Sequence, residues 1–469
     1  MTTQTTHKLN RDTIEIPYRH VTTHLIDGAW RESQGQDTSE VIDPATNTVW
    51  GSVPVGTEDD VNAAADAAHV AFTTGPWSKT TPTERAEIML HIADEIEARA
   101  TELSLTNTLE NGCPVAETSG AAANAASIFR YFATLAPELE ADDVRPFPNG
   151  QGESLVRKDP IGVCALIAPW NFPINLMVTK LAPALLAGCT VVMKPASPTP
   201  LSFRIIVDAV TAAGVPTSVV NHVTGPGRMG DLMVRHPKVA KVAFTGSTSV
   251  GRHIAATCGE LLRPVTLELG GKSSAIVMED ADLDDMSAKL IRSCMRNTGQ
   301  TCYISTRILT PASRYEEVVD MVTETIAAAP QGAPLDPATV FGPSANRSQY
   351  KSVLEHIDSA KAEGARFTTG SETALLNGEL AEGLFIQPTV LADVTPDMRV
   401  AREEIFGPVI TIQKYDDLNE AIDLANNTEF GLGGICSVAI KTKPRKSVDP
   451  YSWIHGVAIP IASAPTFAG

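Results

Sequence analysis

Several common sequence signatures are missing from this chain of 469 residues. Its seven cysteines include no Cys-x-x-Cys pair and are odd in number, so neither a disulfide framework nor a zinc site is expected. The ten histidines include no His-Glu-x-x-His motif, which would place two metal ligands on one helix face. We therefore expect no metal site and a reducing compartment, the cytoplasm.

Long apolar runs and a basic charge balance are also missing. No stretch approaches the roughly 18 apolar residues that a membrane-spanning helix needs, and the N-terminus lacks the apolar region of a secretory signal. The formal net charge of −18 disfavours nucleic acids and anionic membranes as partners. Hydrophobic residues make up 43% of the chain, as in globular proteins, and its length favours two or three domains.

The chain does contain short apolar runs that alternate with helical patterns. Residues 161–168 (IGVCALIA) are typical of a strand that is buried on both faces, and 189–194 (CTVVMK) of a second one. This alternation predicts a parallel α/β sheet, with a second α/β set beyond residue 280. Further strands are predicted at 218–223, 239–244 and 273–278, and helices are predicted to begin near Leu201, Asp231 and Val250.

A helix is also predicted just before a polar segment that contains a cysteine. Met286, Leu290 and Cys294 recur at intervals of four, so they share one face of this helix and Cys294 is expected in the core. Cys302 lies eight residues further on, in NTGQTCYISTR (297–307), where the backbone is expected to reach the surface.

Cys302 is a candidate nucleophile. Gly299 allows a tight turn before it, and a thiol presented on such a loop can attack an electrophilic carbon. No histidine partner of the kind used by cysteine hydrolases is evident, since the nearest are His253 and His356. The alternative that Cys302 is a loop cysteine without a function therefore stays open at this point.

Two other polar side chains occupy unusual positions. Glu268 stands between two leucines in LELGGK (267–272), where burial would raise its pKa toward the range of a general base. Asn171 in APWNFP (168–173) follows a buried strand, and its amide could donate to a developing oxyanion. The alternatives are that Glu268 pairs with a nearby lysine or arginine, and that Asn171 caps the next helix.

Two loops have features of dinucleotide-binding turns. TGPGRMGD (224–231) satisfies Gly-x-Gly-x-x-Gly, although Pro226 makes an ordinary turn equally compatible. FTGSTSVG (244–251) passes from a strand to a helix, with Gly246 and Ser247 placed to meet a pyrophosphate.

Two more segments carry charged side chains at turns. Lys194 ends a predicted strand and could reach a ribose hydroxyl or a phosphate. Glu404 and Phe406 precede a Gly-Pro pair, and residues 403–408 by themselves indicate only an acidic turn with an exposed aromatic side chain.

Taken in this order, these segments resemble the NAD(P)-dependent aldehyde dehydrogenase family, from about Leu25 to Gly434. The resemblance implies an α/β fold with a Rossmann-type cofactor domain (1–138 and 161–270), a projecting oligomerisation hairpin (139–160) and a second α/β catalytic domain (271–434). It also implies a homo-dimer or homo-tetramer. The matching motifs are APWNFP, KPAS, FTGSTSVG, LELGGK, NTGQTC, EEIFGP and NNTEFGLGG.

The resemblance further implies a mechanism. Cys302 would attack an aldehyde, and the oxyanion would be held by the Asn171 amide and the Cys302 N–H. Hydride transfer to NAD or NADP would leave a thioester, which water activated by Glu268 would hydrolyse, with Lys180 near the cysteine. The cofactor-binding residues implied are Ile167, Pro169, Trp170, Lys194, Ser197, Gly227, Gly230, Phe244, Gly246, Ser247, Leu269, Glu404 and Phe406.

The chain departs from the family in two places. NAD-preferring relatives commonly carry a ribose-binding glutamate where Ser197 stands, so the 2′-phosphate of NADP would meet no carboxylate there, and Arg228 could add positive charge. Residues 435–469 resemble none of the family's final elements and turn basic and proline-rich within 441–450. A reading-frame change or true divergence would both give this pattern.

The sequence leaves alternatives to a hydrolytic aldehyde dehydrogenase. The atypical tail is compatible with a catalytically impaired or dead protein that binds only cofactor. A CoA-acylating enzyme is disfavoured by Glu268, which such forms typically lack. A cysteine hydrolase is disfavoured by the dinucleotide-type loops.

Overall fold

The computed structural model describes residues 18–374 and 376–437. The chain divides into two compact units. Of the described residues, the first comprises 18–43, 48–111 and 115–268, and the second comprises 44–47, 112–114, 269–374 and 376–437.

The first unit contains a mixed sheet whose centre is parallel. Within the described residues its strand order is β11-β10-β7-β8-β9-β1-β2, and β1 and β2 are the antiparallel members. β3 and β4 pair separately, as do β5 and β6. The strands are β1 (Thr23–Ile26), β2 (Ala29–Glu32), β3 (Thr38–Asp43), β4 (Thr48–Pro54), β5 (Asp143–Pro146), β6 (Glu153–Val156), β7 (Val163–Ile167), β8 (Thr190–Lys194), β9 (Val220–His222), β10 (Val239–Thr245) and β11 (Val265–Glu268).

Register aligns the carboxyl ends of the central strands. Ile167 pairs with Lys194 on one side and with Phe244 on the other, and Thr245 pairs with Glu268. Ligands of parallel α/β sheets bind beyond this edge.

The helices of the first unit cover this sheet with apolar faces. At α2, Thr81 and Glu84 form the reciprocal hydrogen bonds of a capping box, and Ile92 and Ile96 are buried in the core. The helices are α1 (Glu58–Thr73), α2 (Pro82–Glu97), α3 (Ala100–Asn111), α4 (Val115–Thr118), α5 (Ala121–Ala133), α6 (Ala136–Glu140), α7 (Pro173–Leu186), α8 (Leu201–Ala212), α9 (Gly227–Arg235) and α10 (Thr248–Glu260).

The second unit has its own sheet, with the order β14-β15-β16-β13-β12-β17 within the described residues. All of its pairings are parallel except that of β14 with β15. Its elements are β12 (Ser274–Val277), α11 (Leu283–Cys294), β13 (Arg307–Pro311), α12 (Tyr315–Ala328), α13 (Arg347–Glu363), β14 (Arg366–Thr369), β15 (Thr389–Ala392), α14 (Arg399–Arg402), β16 (Val409–Tyr415), α15 (Leu418–Asn426) and β17 (Gly434–Ser437).

The local predictions for these units are largely confirmed. Each predicted strand is present, and Met286, Leu290 and Cys294 are buried on α11. The helix predicted to begin near Asp231 begins at Gly227 instead, because Pro226 in extended conformation serves as its N-cap.

The β5–β6 hairpin lies within 139–160, and its apolar side chains Val144 and Leu155 are exposed. Its role in oligomerisation stays a prediction. The atypical tail (435–469) contributes Ile435, Cys436 and Ser437 to β17, and residues 438–469 lie outside the described residues.

None of the helices in the described residues is long and apolar enough to span a membrane. All seven cysteines lie in the described part of the chain, and none forms a disulfide. No group of three or more His, Cys, Asp or Glu side chains within 18–374 and 376–437 is placed to hold a metal ion.

Candidate active site

The Cys302 loop combines a buried backbone with an accessible thiol. Six of the seven cysteines are buried, and Cys302 is half-exposed. Asn297, Thr298, Gln300 and Thr301 are buried, although the sequence predicted that this polar segment reaches the surface. That prediction is wrong for most of the segment.

Hydrogen bonds from distant residues explain this burial. The Thr298 hydroxyl accepts from the Gly342 N–H at 2.9 Å, and Oε1 of Gln300 accepts from the Ala345 N–H at 2.9 Å. Buried polar groups are tolerated when they are paired in this way. The loop that carries Cys302 is therefore held by its own side chains.

Backbone conformation shapes the turn before the cysteine. Asn297, Thr298 and Gly299 have φ of 50°, 57° and 77°, which is three successive left-handed residues. At Gly299 a Cβ atom would collide with the carbonyl of Gly407. The predicted role of Gly299 is confirmed, since this position requires glycine.

The side chain of Glu404 is hydrogen-bonded to the turn before β12. Its Oε1 accepts from the Gly271 N–H at 3.0 Å, and a Cβ atom on Gly270 would collide with its carboxylate. Burial raises the pKa of Glu404, while the Gly271 N–H and the charge of Lys272 act in the opposite direction. The glycine pair in LELGGK thus makes room for a carboxylate 133 residues further along the chain.

Two further predicted cofactor residues belong to the second unit. Phe406 is half-buried, not exposed as its turn suggested, and has a φ of 56°. Leu269 is half-buried and directly follows β11.

In the first unit, Asn171 lies between β7 and α7. Its side chain is buried, with 4% exposure. The N-cap of α7 is Phe172, so Asn171 does not have the capping role that was its alternative interpretation. Pro169 and Trp170, just before it, are half-buried.

Lys180 and Glu268 meet the same strand end. Nζ of Lys180 donates to Oγ1 of Thr245 at 2.5 Å and to the carbonyl of Leu176 at 3.0 Å. Thr245 is the partner of Glu268 in the β10–β11 register. The first unit therefore brings Lys180, from α7, and Glu268 to the carboxyl ends of the neighbouring strands β10 and β11.

Glu268 is exposed, whereas its leucine neighbours predicted burial. The cause is the position of β11 at the edge of the sheet, with β10 as its partner there. The expectation of a buried carboxylate is therefore wrong for Glu268.

Several predicted cofactor residues lie together at the ends of β7 and β8. A Cβ atom on Gly230 would lie 3.5 Å from Ile167 and 3.8 Å from Lys194, which is ordinary contact distance. Burial lowers the pKa of Lys194 to about 8, and its Nζ donates to the Pro195 carbonyl at 3.0 Å. The Ser197 hydroxyl donates to the Gly225 carbonyl at 3.0 Å.

Neither α9 nor α10 has a side-chain cap at its N-terminus. Gly227 is the first residue of α9, and a Cβ atom there would meet nothing within 4 Å. Ser247 is the N-cap of α10, is exposed and provides no side-chain cap, so the first N–H groups are not satisfied by it. Gly246 packs against the buried ring of Phe244, where a side chain would collide.

Sequence reasoning missed Lys272, Glu110 and Asn111, which are buried polar residues beside predicted site segments. Burial lowers the pKa of Lys272 to about 7. The local signal was weak: Lys272 directly follows LELGG, while Glu110 and Asn111 are ordinary helix residues in sequence.

Comparisons with known proteins identify the family of this chain. A family model described as the aldehyde dehydrogenase family matches residues 30–444. Geranial dehydrogenase of Castellaniella defragrans is 43% identical over 420 residues, which cover 89% of this chain and 86% of that protein.

Solved structures of the same kind superimpose on the chain. A mutant of aldehyde dehydrogenase C of Pseudomonas syringae, in complex with NAD+ and octanal, gives a TM-score of 0.86 at 34% identity and covers 91% of this chain and 86% of its own. An NAD+ complex of a Mycobacterium tuberculosis aldehyde dehydrogenase gives 0.86 at 38% identity, with 90% and 86% covered. This chain therefore belongs to the aldehyde dehydrogenase family and is an NAD(P)-dependent oxidoreductase that acts on aldehydes.

Proposed function

We propose that Cys302, Glu268 and Asn171 carry out this oxidation around one carbonyl group. The observation that carries the proposal is the exposure of Cys302 alone among the seven cysteines, on a loop held by buried side chains. A nucleophile must be accessible and fixed in position, and this thiol has both properties.

The chemistry proceeds in two stages. The Cys302 thiolate adds to the aldehyde carbon, and the Asn171 amide and the Cys302 N–H donate hydrogen bonds to the oxyanion of the thiohemiacetal. Bound NAD(P) would supply the hydride acceptor. Loss of hydride leaves a thioester on Cys302, and Glu268 removes a proton from the water that hydrolyses it to the carboxylic acid.

The residues of the first unit fit a dinucleotide. The N-terminus of α10 at Ser247 suits the pyrophosphate, because its leading N–H groups lack a side-chain cap. Lys194 and Ser197 would hold the adenosine ribose, while Gly227 leaves open space in front of α9. In the second unit, Glu404 would accept hydrogen bonds from the other ribose.

The nucleophile is tested by Cys302→Ser, with Cys294→Ala as the matched control in the same unit. NADH formation is followed at 340 nm with a panel of aldehydes. We expect Cys302→Ser to abolish oxidation while NAD binding persists, and Cys294→Ala to retain turnover. Wild-type turnover by Cys302→Ser would refute the assignment, and a wild type that binds NAD without oxidising any aldehyde would favour the inactive alternative.

The base is tested by Glu268→Gln, with the exposed Glu260→Gln on α10 as control. Glu268→Gln should release one equivalent of NADH in a burst and then stall, because the thioester persists. Unchanged steady turnover would rule out the role of Glu268. Acyl-CoA formation by the wild type would instead indicate a CoA-acylating enzyme.

We propose that the enzyme accepts NADP as well as NAD. Ser197 places a hydroxyl where a carboxylate would repel a 2′-phosphate, and the exposed Arg228 on α9 carries positive charge next to Gly227. Ser197→Glu should lower kcat/KM for NADP while that for NAD is retained. An equal change for both coenzymes would contradict this explanation.

We propose a medium-length apolar aldehyde as substrate. Phe172 and Leu176 lie one helical turn apart at the start of α7 and are half-buried, and Tyr303 follows the nucleophile. Similarity to a geranial dehydrogenase and to an octanal complex supports this class. Octanal and geranial should exceed acetaldehyde and betaine aldehyde in kcat/KM, and the opposite order would exclude an apolar pocket.

We propose a cytoplasmic homo-dimer or homo-tetramer. The absence of disulfides among the seven cysteines supports a reducing compartment, and the exposed Val144 and Leu155 support pairing through the β5–β6 hairpin. Leu155→Lys should lower the mass measured by light scattering. An unchanged mass would exclude the hairpin, and a secreted protein in cell fractionation would exclude the compartment.

A further inference from the structure

The last residue of α3 contacts the segment that carries Asn171. The side chain of Asn111 is fully buried, and its Nδ2 lies 2.5 Å from the Trp170 carbonyl and 3.4 Å from the Asn171 carbonyl. A primary amide offers two N–H donors, so one side chain can serve two successive carbonyls. Asn111 thus binds the two backbone carbonyls that flank the Cα atom of Asn171.

The residue before it fixes this end of the helix. The carboxylate of Glu110 is fully buried and accepts from the N–H groups of Leu201 and Ser202 at 2.7 and 3.0 Å, and from the Ser202 hydroxyl. These contacts attach the end of α3 to the first turn of α8. Asn111 is therefore presented from an anchored helix end, which gives the segment at Asn171 a rigid support.

The segment needs such support because of where it lies. It connects β7 to α7, and the N-cap of α7 is Phe172, whose side chain cannot hydrogen-bond to the helix N-terminus. The side-chain amide of Asn171 can stabilise an oxyanion only if its backbone is held to within a fraction of an ångström.

The side chain of Asn111 also contains an amide oxygen whose presence stability alone does not explain. Its Oδ1 is buried and has no hydrogen-bond partner among the described residues. An unpaired buried amide oxygen is unfavourable, so an apolar residue of similar size would satisfy packing better. The donors of Asn111 are the property that the fold uses.

We propose that Asn111 is a positioning residue for oxidation, and that it acts by holding the backbone of Asn171 where the amide meets the oxyanion. The inference rests on the proposed role of Asn171. It assigns Asn111 to the formation of the thioester and not to coenzyme binding or to hydrolysis.

A double-mutant cycle tests the coupling. Asn111→Asp keeps the shape but replaces the donating NH2 group with an oxygen that repels the two carbonyls. The matched control is Asn107→Asp, which places the same group at another buried asparagine of α3, one turn earlier. Each change is made in the wild type and in Asn171→Ala, and the readout is NADH formed from octanal in a single turnover with enzyme in excess.

In the wild-type background, Asn111→Asp should slow this first turnover by about 10- to 100-fold, the range expected when an oxyanion donor is displaced. Asn107→Asp should stay within about twofold of wild type. In the Asn171→Ala background, Asn111→Asp should change the rate by less than about twofold, because its effect passes through Asn171. The affinity for NAD should not change in any variant.

Equal losses in both backgrounds would overturn the proposal, since they would show a structural role that is independent of Asn171. A first turnover near that of wild type would overturn it as well. If Asn111→Asp fails to fold, Asn111→Ala replaces it under the same criteria, and failure of both while Asn107→Asp folds would make Asn111 a folding residue. A wild type that forms no NADH from any aldehyde would instead refute the proposed function.

Discussion

Replacing Gly299 by alanine tests how the Cys302 loop is held. Gly299 has a φ of 77°, and alanine in this left-handed conformation is destabilised by about 1 to 2 kcal/mol. Its Cβ atom would also fall far closer than 3.0 Å to the Gly407 carbonyl, and relieving such overpacking costs about 1 to 3 kcal/mol more. We expect Gly299→Ala to lower the free energy of unfolding by about 2 to 5 kcal/mol.

The second unit offers a matched control at Gly364. This residue ends α13 with a φ of 88°, and a Cβ atom there would meet nothing within 4 Å. Gly364→Ala therefore isolates the same backbone penalty, about 1 to 2 kcal/mol, and should leave turnover unchanged. The difference between the two variants measures the collision with Gly407.

Activity gives the second readout for Gly299→Ala. Because the chain must move away from Gly407, the thiol three residues later shifts, and a displacement of about 1 Å can cost about 100-fold in rate. Urea denaturation and NADH formation at 340 nm measure the two effects. Equal stability losses for Gly299→Ala and Gly364→Ala, together with normal turnover by Gly299→Ala, would refute this account of the loop.

Two buried groups of the first unit predict opposite pH dependences. Burial lowers the pKa of His24 from 6.5 to about 4. Between these pH values the unfolded chain binds more protons than the folded chain, so the free energy of unfolding falls as the pH falls, by about 3 kcal/mol in total. His24→Gln should remove this pH dependence when wild type and variant are compared by urea denaturation. Burial raises the pKa of Glu110 from 4.5 to about 7, so its contribution to the free energy of unfolding is present below pH 4.5 and is lost as the pH rises toward 7. Glu110→Gln should remove this loss of stability. For either residue, a pH dependence of the opposite sign in the difference between wild type and variant would contradict the assignment.

Local sequence predicted the strands of the first sheet well. Residues 163–167 and 191–193 are unbroken apolar runs because both of their faces are covered, and such runs are recognisable without any long-range information. The start of α9 was misplaced because Gly227 and Arg228 carry no apolar periodicity, so the residues of its first turn looked like a loop.

The solvent exposure of individual site residues was harder to predict. Leucines on both sides of Glu268 indicated burial, but β11 is an edge strand and Glu268 is exposed. The polar stretch around Cys302 indicated an exposed turn, but the N–H groups of Gly342 and Ala345 pair with it and allow burial. Both errors arise from neighbours that are distant in sequence.

The sequence by itself determined the alternating strands and helices, the glycine at 299 and the identity of the nucleophile candidate, because these depend on local periodicity, backbone freedom and side-chain chemistry. Only the tertiary structure decided which of the seven cysteines is accessible, that Glu268 lies at a sheet edge, and that Asn111 donates to the carbonyls of Trp170 and Asn171. Exposure and hydrogen-bond partners are properties of the packed chain, since they depend on residues that the fold brings together from 44 to 60 positions away.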